Sequence, residues 1–473
     1  MGVKKDDIVM VQLPNCWELA MLYLAIARAG AIISPLPVQW RASELEYIAE
    51  LTEAKVFITV EEFHGFKHKK MGEELLKHPN LERVIILQEI REMSKGMSKL
   101  ERIDGANDIF TLNWTSGTEA QPKGCPASHN NWIVQASLQI ESVGIEPGDN
   151  FLTAGPLVNM ASVGTVYIQW LMVGGKLVLH HPFNAEILFK QLIEEKINYT
   201  LLVPAVVNML LKHPKVDEFD LSSVRAITIG SAPPSLWSAQ ELKRRWGIEF
   251  GNIWGQNEST AIISGPFDVP DMEKRIDHFP QFGKQGIKWA SATSQFIQTK
   301  LIDPATGKEV TEVGSVGELY YKGPNVIPCY FKRPGLTEKS FDKGFLRTGD
   351  LFQIKEGHYI GFFDRCKDII IRGGFNISAQ EIENMLLGHP KVMDVAAIAM
   401  PDEIMGERTC VYVVPRREVE LEDLTSFMKE KEIATYKLPE QLVIIDAIPR
   451  NPFGKVLKGK LREDIKKKLK TTN

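Results

Sequence analysis

The sequence predicts an α/β protein: a large N-terminal domain of helix-covered sheets plus a small β unit, followed by a small α+β C-terminal lid domain. Three observations carry that expectation. Short β-branched runs alternate with helical runs from residue 8 to about residue 253, the pattern of parallel strands joined by crossover helices. From about Phe296 the texture changes to short strands and glycine-bearing turns, as in an antiparallel unit. After the polar stretch Phe363-Asp-Arg-Cys-Lys-Asp368 the alternation restarts and runs to a basic terminal helix. A chain of 473 residues is too long for one core. The expected domains are 1–366, including a small β unit at about 290–366, and 367–473.

Residues 8–13 read as a strand, and Pro14-Asn15 opens a helix whose apolar positions Trp17, Ala20, Met21, Leu24 and Ala27 lead to Gly30. A second strand at 31–36 completes a right-handed βαβ crossover. A helix follows at about 42–52, with strands at 56–60 and 84–87, while 67–70 and 89–99 read as charged, irregular surface. Residues 108–114 form a strand, and a helix starts near Ser128 with Trp132, Gln135, Ala136 and Gln139 at helical spacing. Strands are expected at 151–154, 176–179, 199–202, 226–229 and 249–253, and helices at about 163–172, 185–195, 205–211 and 236–246. His180-His181 invites a metal reading, but neighbours on a strand point to opposite faces and do not share one ion. In the C-terminal part, strands are expected at 369–371, 395–400, 410–414 and 442–445, and helices at 379–387 and 424–431.

Composition narrows the function. Hydrophobic residues make up 44% and charged residues 25%, the ordinary soluble class. A formal net charge of −4 offers no bulk attraction to nucleic acid or to an anionic membrane. Cys16, Cys125, Cys329, Cys366 and Cys410 are scattered, which argues against a disulfide framework or zinc site and suits a reducing, cytoplasmic compartment. The opening residues carry no apolar signal core, and the apolar run 19–31 is interrupted by Arg28 and too short to span a bilayer.

The stretch Thr115-Ser116-Gly117-Thr118-Glu119-Ala120-Gln121-Pro122-Lys123-Gly124, between a strand and a helix, suits a polyphosphate. Hydroxyls and backbone N–H groups donate hydrogen bonds, and the lysine neutralises charge. It is not a Walker loop, because Gly124 and Cys125 follow Lys123. An ordinary polar turn is the plainer alternative. Gly230-Ser231-Ala232-Pro233 would let a flat ring lie against the backbone. Asn252-Ile253-Trp254-Gly255-Gln256-Asn257-Glu258 pairs an aromatic plate with a carboxylate able to hold a hard cation. Thr348-Gly349-Asp350 sets a carboxylate in a glycine turn, suited to two ribose hydroxyls, and Lys455 stands on the loop 449–455. Taken singly, a turn-forming Asp, a core Trp and a solvated Lys explain these features as well.

In this order along the chain, however, the segments resemble those of the adenylate-forming superfamily: acyl-CoA synthetases, 4-coumarate-CoA ligases, firefly luciferases and peptide-synthetase adenylation domains. The resemblance runs through the whole chain. It implies a large N-terminal domain and a small lid, with two half-reactions: a carboxylate attacks the α-phosphorus of Mg2+-bound ATP, and a thiol, usually coenzyme A, then displaces AMP. It further implies that Thr115, Ser116, Gly117, Thr118 and Lys123 hold phosphates, and that Gly230, Ser231, Ala232, Pro233, Asn252, Ile253, Trp254, Gly255 and Asn257 hold the rest of the nucleotide. Asp350 becomes the ribose clamp. Arg365 and Lys367 join it on the nucleotide, with Lys367 at the hinge. The catalytic set is Lys455, Glu258 and Lys123, with Glu258 as the magnesium ligand, and Gly373-Gly374 lies on the coenzyme A path.

The acyl pocket is expected from Asn159, Met160, Gly164, Val206 and Val207. The resemblance implies that amino-acid-activating members hold the substrate ammonium with an Asp near this point; none lies between 151 and 215, so an acid with an uncharged tail is favoured: medium-chain, aromatic or alicyclic. The chain departs from the family pattern at Glu119-Ala120 in the phosphate loop, at Asn257 for Thr, at Ala379 for Pro and at Cys329 for Gly. The lead-in that most members carry before Ile8 is absent: either the sequence starts late or the fold tolerates an exposed sheet edge. Rival readings are an acyl-AMP ligase that loads a carrier protein and a catalytically impaired nucleotide-binding homologue. The oligomeric state stays open.

Overall fold

The computed structural model describes residues 2–93, 105–115, 121–230, 234–450 and 456–472. It divides into two compact units, Met1–Thr299 with Tyr321–Leu346, and Lys300–Tyr320 with Arg347–Asn473.

The first unit contains two six-stranded sheets. One is built from β1 (Ile8–Gln12), β2 (Ile32–Pro35), β3 (Val56–Thr59), β4 (Arg83–Ile86), β5 (Ile109–Thr115) and β6 (Lys123–Ser128). Their order is β4-β3-β1-β2-β5-β6, parallel except for the β5–β6 pair. Alternation along β1 divides the core: Val9 and Val11 join Leu19, Tyr23 and Ile26 on one face, while Ile8 and Met10 join Leu45, Ile48 and Phe57 on the other. Because β1 lies between β2 and β3, the expected exposed edge at Ile8 is not there.

Two further differences have physical causes. The sequence reads residues 123–128 as the end of a loop; instead β6 returns antiparallel to β5 and sets Lys123 opposite Thr115. Pro126, which signals against a strand, is accommodated because β6 is the outer strand of the sheet and one missing donor breaks no inner ladder. The charged surfaces at 67–70 and 89–99 are in part helical, at His68–Leu75 and Leu87–Met93. The high charge hid a sparse apolar stripe in the first of these, where Met71 and Leu75 are buried.

The second sheet comprises β7 (Phe151–Thr153), β8 (Leu177–Leu179), β9 (Tyr199–Leu202), β10 (Ala226–Ile229), β11 (Glu249–Gln256) and β12 (Thr260–Ser264), in the order β12-β11-β10-β9-β7-β8. Only β11–β12 is antiparallel. The helix His129–Val143 bonds to both sheets. Trp132 Nε1 donates to Thr111 Oγ1 on β5 at 3.0 Å, and Gln139 Nε2 donates to Thr228 Oγ1 on β10 at 2.9 Å. Ser128 caps its start by accepting from Asn131 N, and Gly144 ends it in the left-handed region.

In the second unit, strand Phe345–Lys355 lies between Val316–Lys322 and Tyr359–Arg365 and runs antiparallel to the latter. A further sheet follows the order Phe375–Ile377, Ile370–Arg372, Gly406–Pro415, Val392–Asp402, with Gln441–Ile444 added parallel to Gly406–Pro415. Val395, Ala397, Val411 and Val413 face the helices Ala379–Leu386 and Leu421–Glu430, whereas Ala396, Ile398, Cys410 and Tyr412 face the terminal helix Lys458–Thr472. Among the described residues no helix is long and apolar enough to cross a membrane.

Trp132 is 1% exposed and bonded across the sheet interface. Trp132→Ala is expected to lower the unfolding free energy by about 3–5 kcal/mol, the range for emptying a buried aromatic site. Urea denaturation of the first unit's signal measures this, and an unshifted midpoint would contradict the bridging role of helix His129–Val143.

Candidate functional site

In the first unit, strand ends bring several of the expected residues together. Parallel pairing of β10 with β11 sets Ile229 beside Asn252. Gly230 then lies against Ile253, where a Cβ on residue 230 would sit 2.8 Å from the Ile253 Cγ2. Asn252 is fixed by its Nδ2, which donates to the Ile276 carbonyl at 2.7 Å, and Trp254 is 8% exposed on β11. Beyond Gln256 the chain reverses through Asn257-Glu258-Ser259, with Ser259 held at φ +64°.

This turn is tied down on every residue. Asn257 Nδ2 donates to the Trp114 carbonyl at 2.8 Å and so joins the end of β5. The Glu258 carbonyl accepts from Ile327 N at 3.1 Å, and Glu258 Oε1 accepts from the Tyr330 hydroxyl at 2.7 Å. Ser259 donates to Gln135 Oε1 at 3.3 Å, and its carbonyl accepts from Asn325 Nδ2 at 2.9 Å. Asn131 extends the same network by donating to the Pro324 and Val326 carbonyls. Lys123 enters from β6, opposite Thr115 and 5.8 Å from the centre of the Tyr330 ring. Burial, with the Glu258 charge beside it, pushes the Tyr330 phenol far above the usual tyrosine range and keeps it a neutral donor.

Thr115, Lys123, Gly230 and residues 252–258 therefore sit on neighbouring strand ends and turns. Ser116, Gly117, Thr118 and the departure Glu119-Ala120 lie outside the described residues, as do Ser231, Ala232, Pro233 and Lys455. Thr115 Oγ1 is buried and has no hydrogen-bond partner among the described residues. No group of three His, Cys, Asp or Glu side chains able to hold a metal occurs among the described residues. A single carboxylate such as Glu258 still fits magnesium, which binds through one or two carboxylates and the substrate's own phosphates. His180 is occupied otherwise: its Nε2 accepts from Asn184 N at 3.0 Å, which leaves Nδ1 to donate to Gln191 Oε1 at 2.7 Å. His181 stacks on Phe63.

The residues expected to line an acyl pocket divide between two cores. Met160 belongs with Val158 and Val163 in the cluster under the first sheet, and Val206 and Val207 belong to the cluster under the second. Asn159 caps the turn Met160–Ser162 by accepting from Ser162 N at 2.9 Å. Gly164, in a wide π turn, allows close approach to the helix His129–Val143: a Cβ there would stand 2.6 Å from Gln135 Nε2.

In the second unit, strand pairing sets Asp350 opposite Arg365, whose Nε lies 3.7 Å from Asp350 Oδ1. Asp350 is 5% exposed. The turn before it is fixed by Thr348 Oγ1, which donates to the Leu319 carbonyl at 2.7 Å and accepts from Asp350 N at 3.2 Å. Burial draws the Lys367 ammonium below its usual range, against the opposing pull of Asp368. Burial would raise the Asp368 carboxyl, but Lys458 and Arg462 outweigh it and hold it low. Asp364, buried just before this stretch, accepts from Ser378 Oγ at 2.9 Å, Gln380 N at 3.0 Å and Arg365 N at 2.6 Å. Gly373 and Gly374, at φ +55° and +87°, form the two-residue turn joining strands Ile370–Arg372 and Phe375–Ile377, a turn that requires left-handed backbone at both positions.

Sequence reasoning missed Tyr330, Asn325, Gln135 and Asp364. Their partners are distant in sequence, 72 residues in the case of Tyr330 and Glu258, so no local pattern marks them.

Residues 1–331 match the family described as AMP-binding enzyme, and 381–455 match the AMP-binding enzyme C-terminal domain. The medium-chain fatty-acid–CoA ligase of Escherichia coli (strain K12) is 30% identical, over 99% of this chain and 83% of that one. The 2,3-dihydroxybenzoate-AMP ligase of Bacillus subtilis (strain 168) is 29% identical, over 99% and 86%. Among solved structures, o-succinylbenzoate CoA synthetase from Bacillus subtilis in complex with its acyl-adenylate intermediate superposes with a TM-score of 0.83, at 25% identity, over 97% of this chain and 89% of that one. With both domain types matched along its length, the chain belongs to the AMP-binding enzyme family, the adenylate-forming superfamily.

Proposed function

We propose that this protein, an ATP-dependent acid ligase working through an acyl-adenylate, transfers the acyl group to coenzyme A, and that its acid is medium-chain, aromatic or alicyclic. The supporting observation is the convergence, in the first unit, of the buried Thr115 hydroxyl, which has no partner among the described residues, the ammonium of Lys123 and the clamped carboxylate of Glu258. Carboxylate and triphosphate repel one another, so cationic groups and donors must offset both before the carboxylate oxygen can reach the α-phosphorus. Lys123 and Thr115 serve the phosphates in this reading. Glu258 holds magnesium, which neutralises phosphate charge when bound. Trp254 and Gly230 border the base. Asp350 takes the ribose hydroxyls, and Arg365 orients Asp350.

Lys455 bridges the incoming carboxylate and the α-phosphate, and a lysine suits a group that must arrive and withdraw. Lys367 is the hinge, and the lid domain is 367–473. Gly373-Gly374 borders the path of the thiol. The apolar side chains Met160, Val206 and Val207, with Asn159 and Gly164, favour an uncharged acyl tail. Cytoplasmic work suits the coenzyme A supply and the five unpaired cysteines. A carrier-protein acceptor is the second reading, favoured by the likeness to the 2,3-dihydroxybenzoate-AMP ligase.

Purified protein with magnesium, ATP and a panel of acids is expected to exchange pyrophosphate into ATP with at least one acid, and to yield a thioester once coenzyme A is added. Absence of exchange with every acid refutes the ligase reading. Exchange without thioester, joined to acylation of a phosphopantetheinyl carrier, transfers the conclusion to the second reading. Lys455→Ala is expected to slow adenylate formation by about 10²–10³-fold or more, while thioester formation from supplied acyl-adenylate persists. Equal loss of both half-reactions removes the assigned role. Gly374→Trp is expected to do the reverse: exchange survives, which also reports an intact fold, and coenzyme A turnover falls by about tenfold or more. Unchanged turnover takes Gly374 off the thiol path.

A further inference from the structure

We propose that Tyr330 is a positioning residue for the cation site, its hydroxyl fixing the Glu258 carboxylate in the orientation that receives the metal. The inference rests on the reading of Glu258 as magnesium ligand. Tyr330 belongs to none of the segments that carry the proposed chemistry, yet it stands between two of them. Its hydroxyl donates to Glu258 Oε1 at 2.7 Å, and its ring centre lies 5.8 Å from the Lys123 ammonium. The ring is 6% exposed and packed in the core beneath the first sheet, so the hydroxyl has little freedom to swing.

The backbone of Tyr330 is anchored too. Its N–H donates to Thr337 Oγ1 at 3.0 Å, its carbonyl accepts from Arg333 N at 3.1 Å, and three residues earlier Ile327 N donates to the Glu258 carbonyl. One segment thus holds Glu258 at both main chain and side chain. A bond from a neutral donor to a carboxylate is charge-assisted and short. A carboxylate offers about four lone-pair sites, so one phenol donor orients the group without neutralising the charge a cation requires. A bond from a fixed phenol narrows the rotamers open to a glutamate and so favours those that meet the metal. A bland role for Tyr330, filling space with its ring, predicts no consequence of losing the hydroxyl alone.

The test compares Tyr330→Phe, which keeps the ring, with Glu258→Gln in the full chain. Manganese serves as the spectroscopic stand-in for magnesium, and its binding in the presence of α,β-methylene-ATP is titrated by electron paramagnetic resonance of the free ion. Tyr330→Phe is expected to weaken manganese binding about tenfold, the lower end for loss of a group that orients a ligand, with a melting temperature close to that of the parent protein. High magnesium is expected to restore its pyrophosphate exchange. Unchanged or tighter manganese binding in Tyr330→Phe, when Glu258→Gln weakens it, overturns the positioning role and leaves the ligand reading intact. Unchanged binding in Glu258→Gln overturns the ligand reading and this inference with it. A Tyr330→Phe protein that melts far lower and loses metal-free analogue binding to the same degree makes the residue structural and also overturns the proposal.

Discussion

The turn Asn257-Glu258-Ser259 is the constraint on which the first unit's site depends. A sheet of six strands can be built without reference to a second sheet, but this turn obliges the two to meet. Asn257 reaches the Trp114 carbonyl near the end of β5, and Ser259 is shared between Gln135 on the helix His129–Val143 and Asn325. Each hydrogen bond contributes only about 1 kcal/mol net, but a buried group left without its partner costs about 1–3 kcal/mol, so the members hold one another in place. The result is a glutamate held at its main chain by Ile327 and at its side chain by Tyr330. Preorganisation of that kind matters in phosphoryl and adenylyl transfer, where the protein contributes position and charge rather than covalent chemistry.

The sheets were legible in the sequence because their strands are short, apolar and buried on both faces, with helices between them. Strand 226–229 and helices 42–52 and 236–246 fall where periodicity puts them. What escaped was set by tertiary context. Pro126 argues locally against a strand, and only the position of β6 at a sheet edge makes the hairpin with β5 permissible. The helix His68–Leu75 carries so few apolar residues that its buried stripe is lost among lysines and glutamates. In the candidate site, glycines, a carboxylate and a lysine stood out because their residue types are unusual at strand ends. Tyr330 and Asp364 did not, since a tyrosine or aspartate gains its meaning only from what a distant segment brings to it.

The acyl pocket shows a similar boundary of inference. Val163 and Val207 are fully buried, in separate clusters, and each satisfies the demands of its own core. An apolar side chain that fills a core and one that touches a substrate obey the same periodicity, so pattern alone cannot divide them. The π turn at Val163–Tyr167 is more informative: such wide turns disturb the regular ladder and recur where a helix has to do more than pack. Its glycine lets this helix approach the bridging helix closely, at Gln135, the residue that accepts from Ser259.

Asp364 ties together the two sides of the stretch around Lys367. It lies on one side of Lys367 and its partners Ser378 and Gln380 lie on the other, all within the second unit. Backbone rotation between these points cannot go far while the carboxylate stays clasped, because a 3% exposed charge would be stripped of its donors in a dry setting. Any reorientation of the backbone at that point would first have to bring water to this one aspartate.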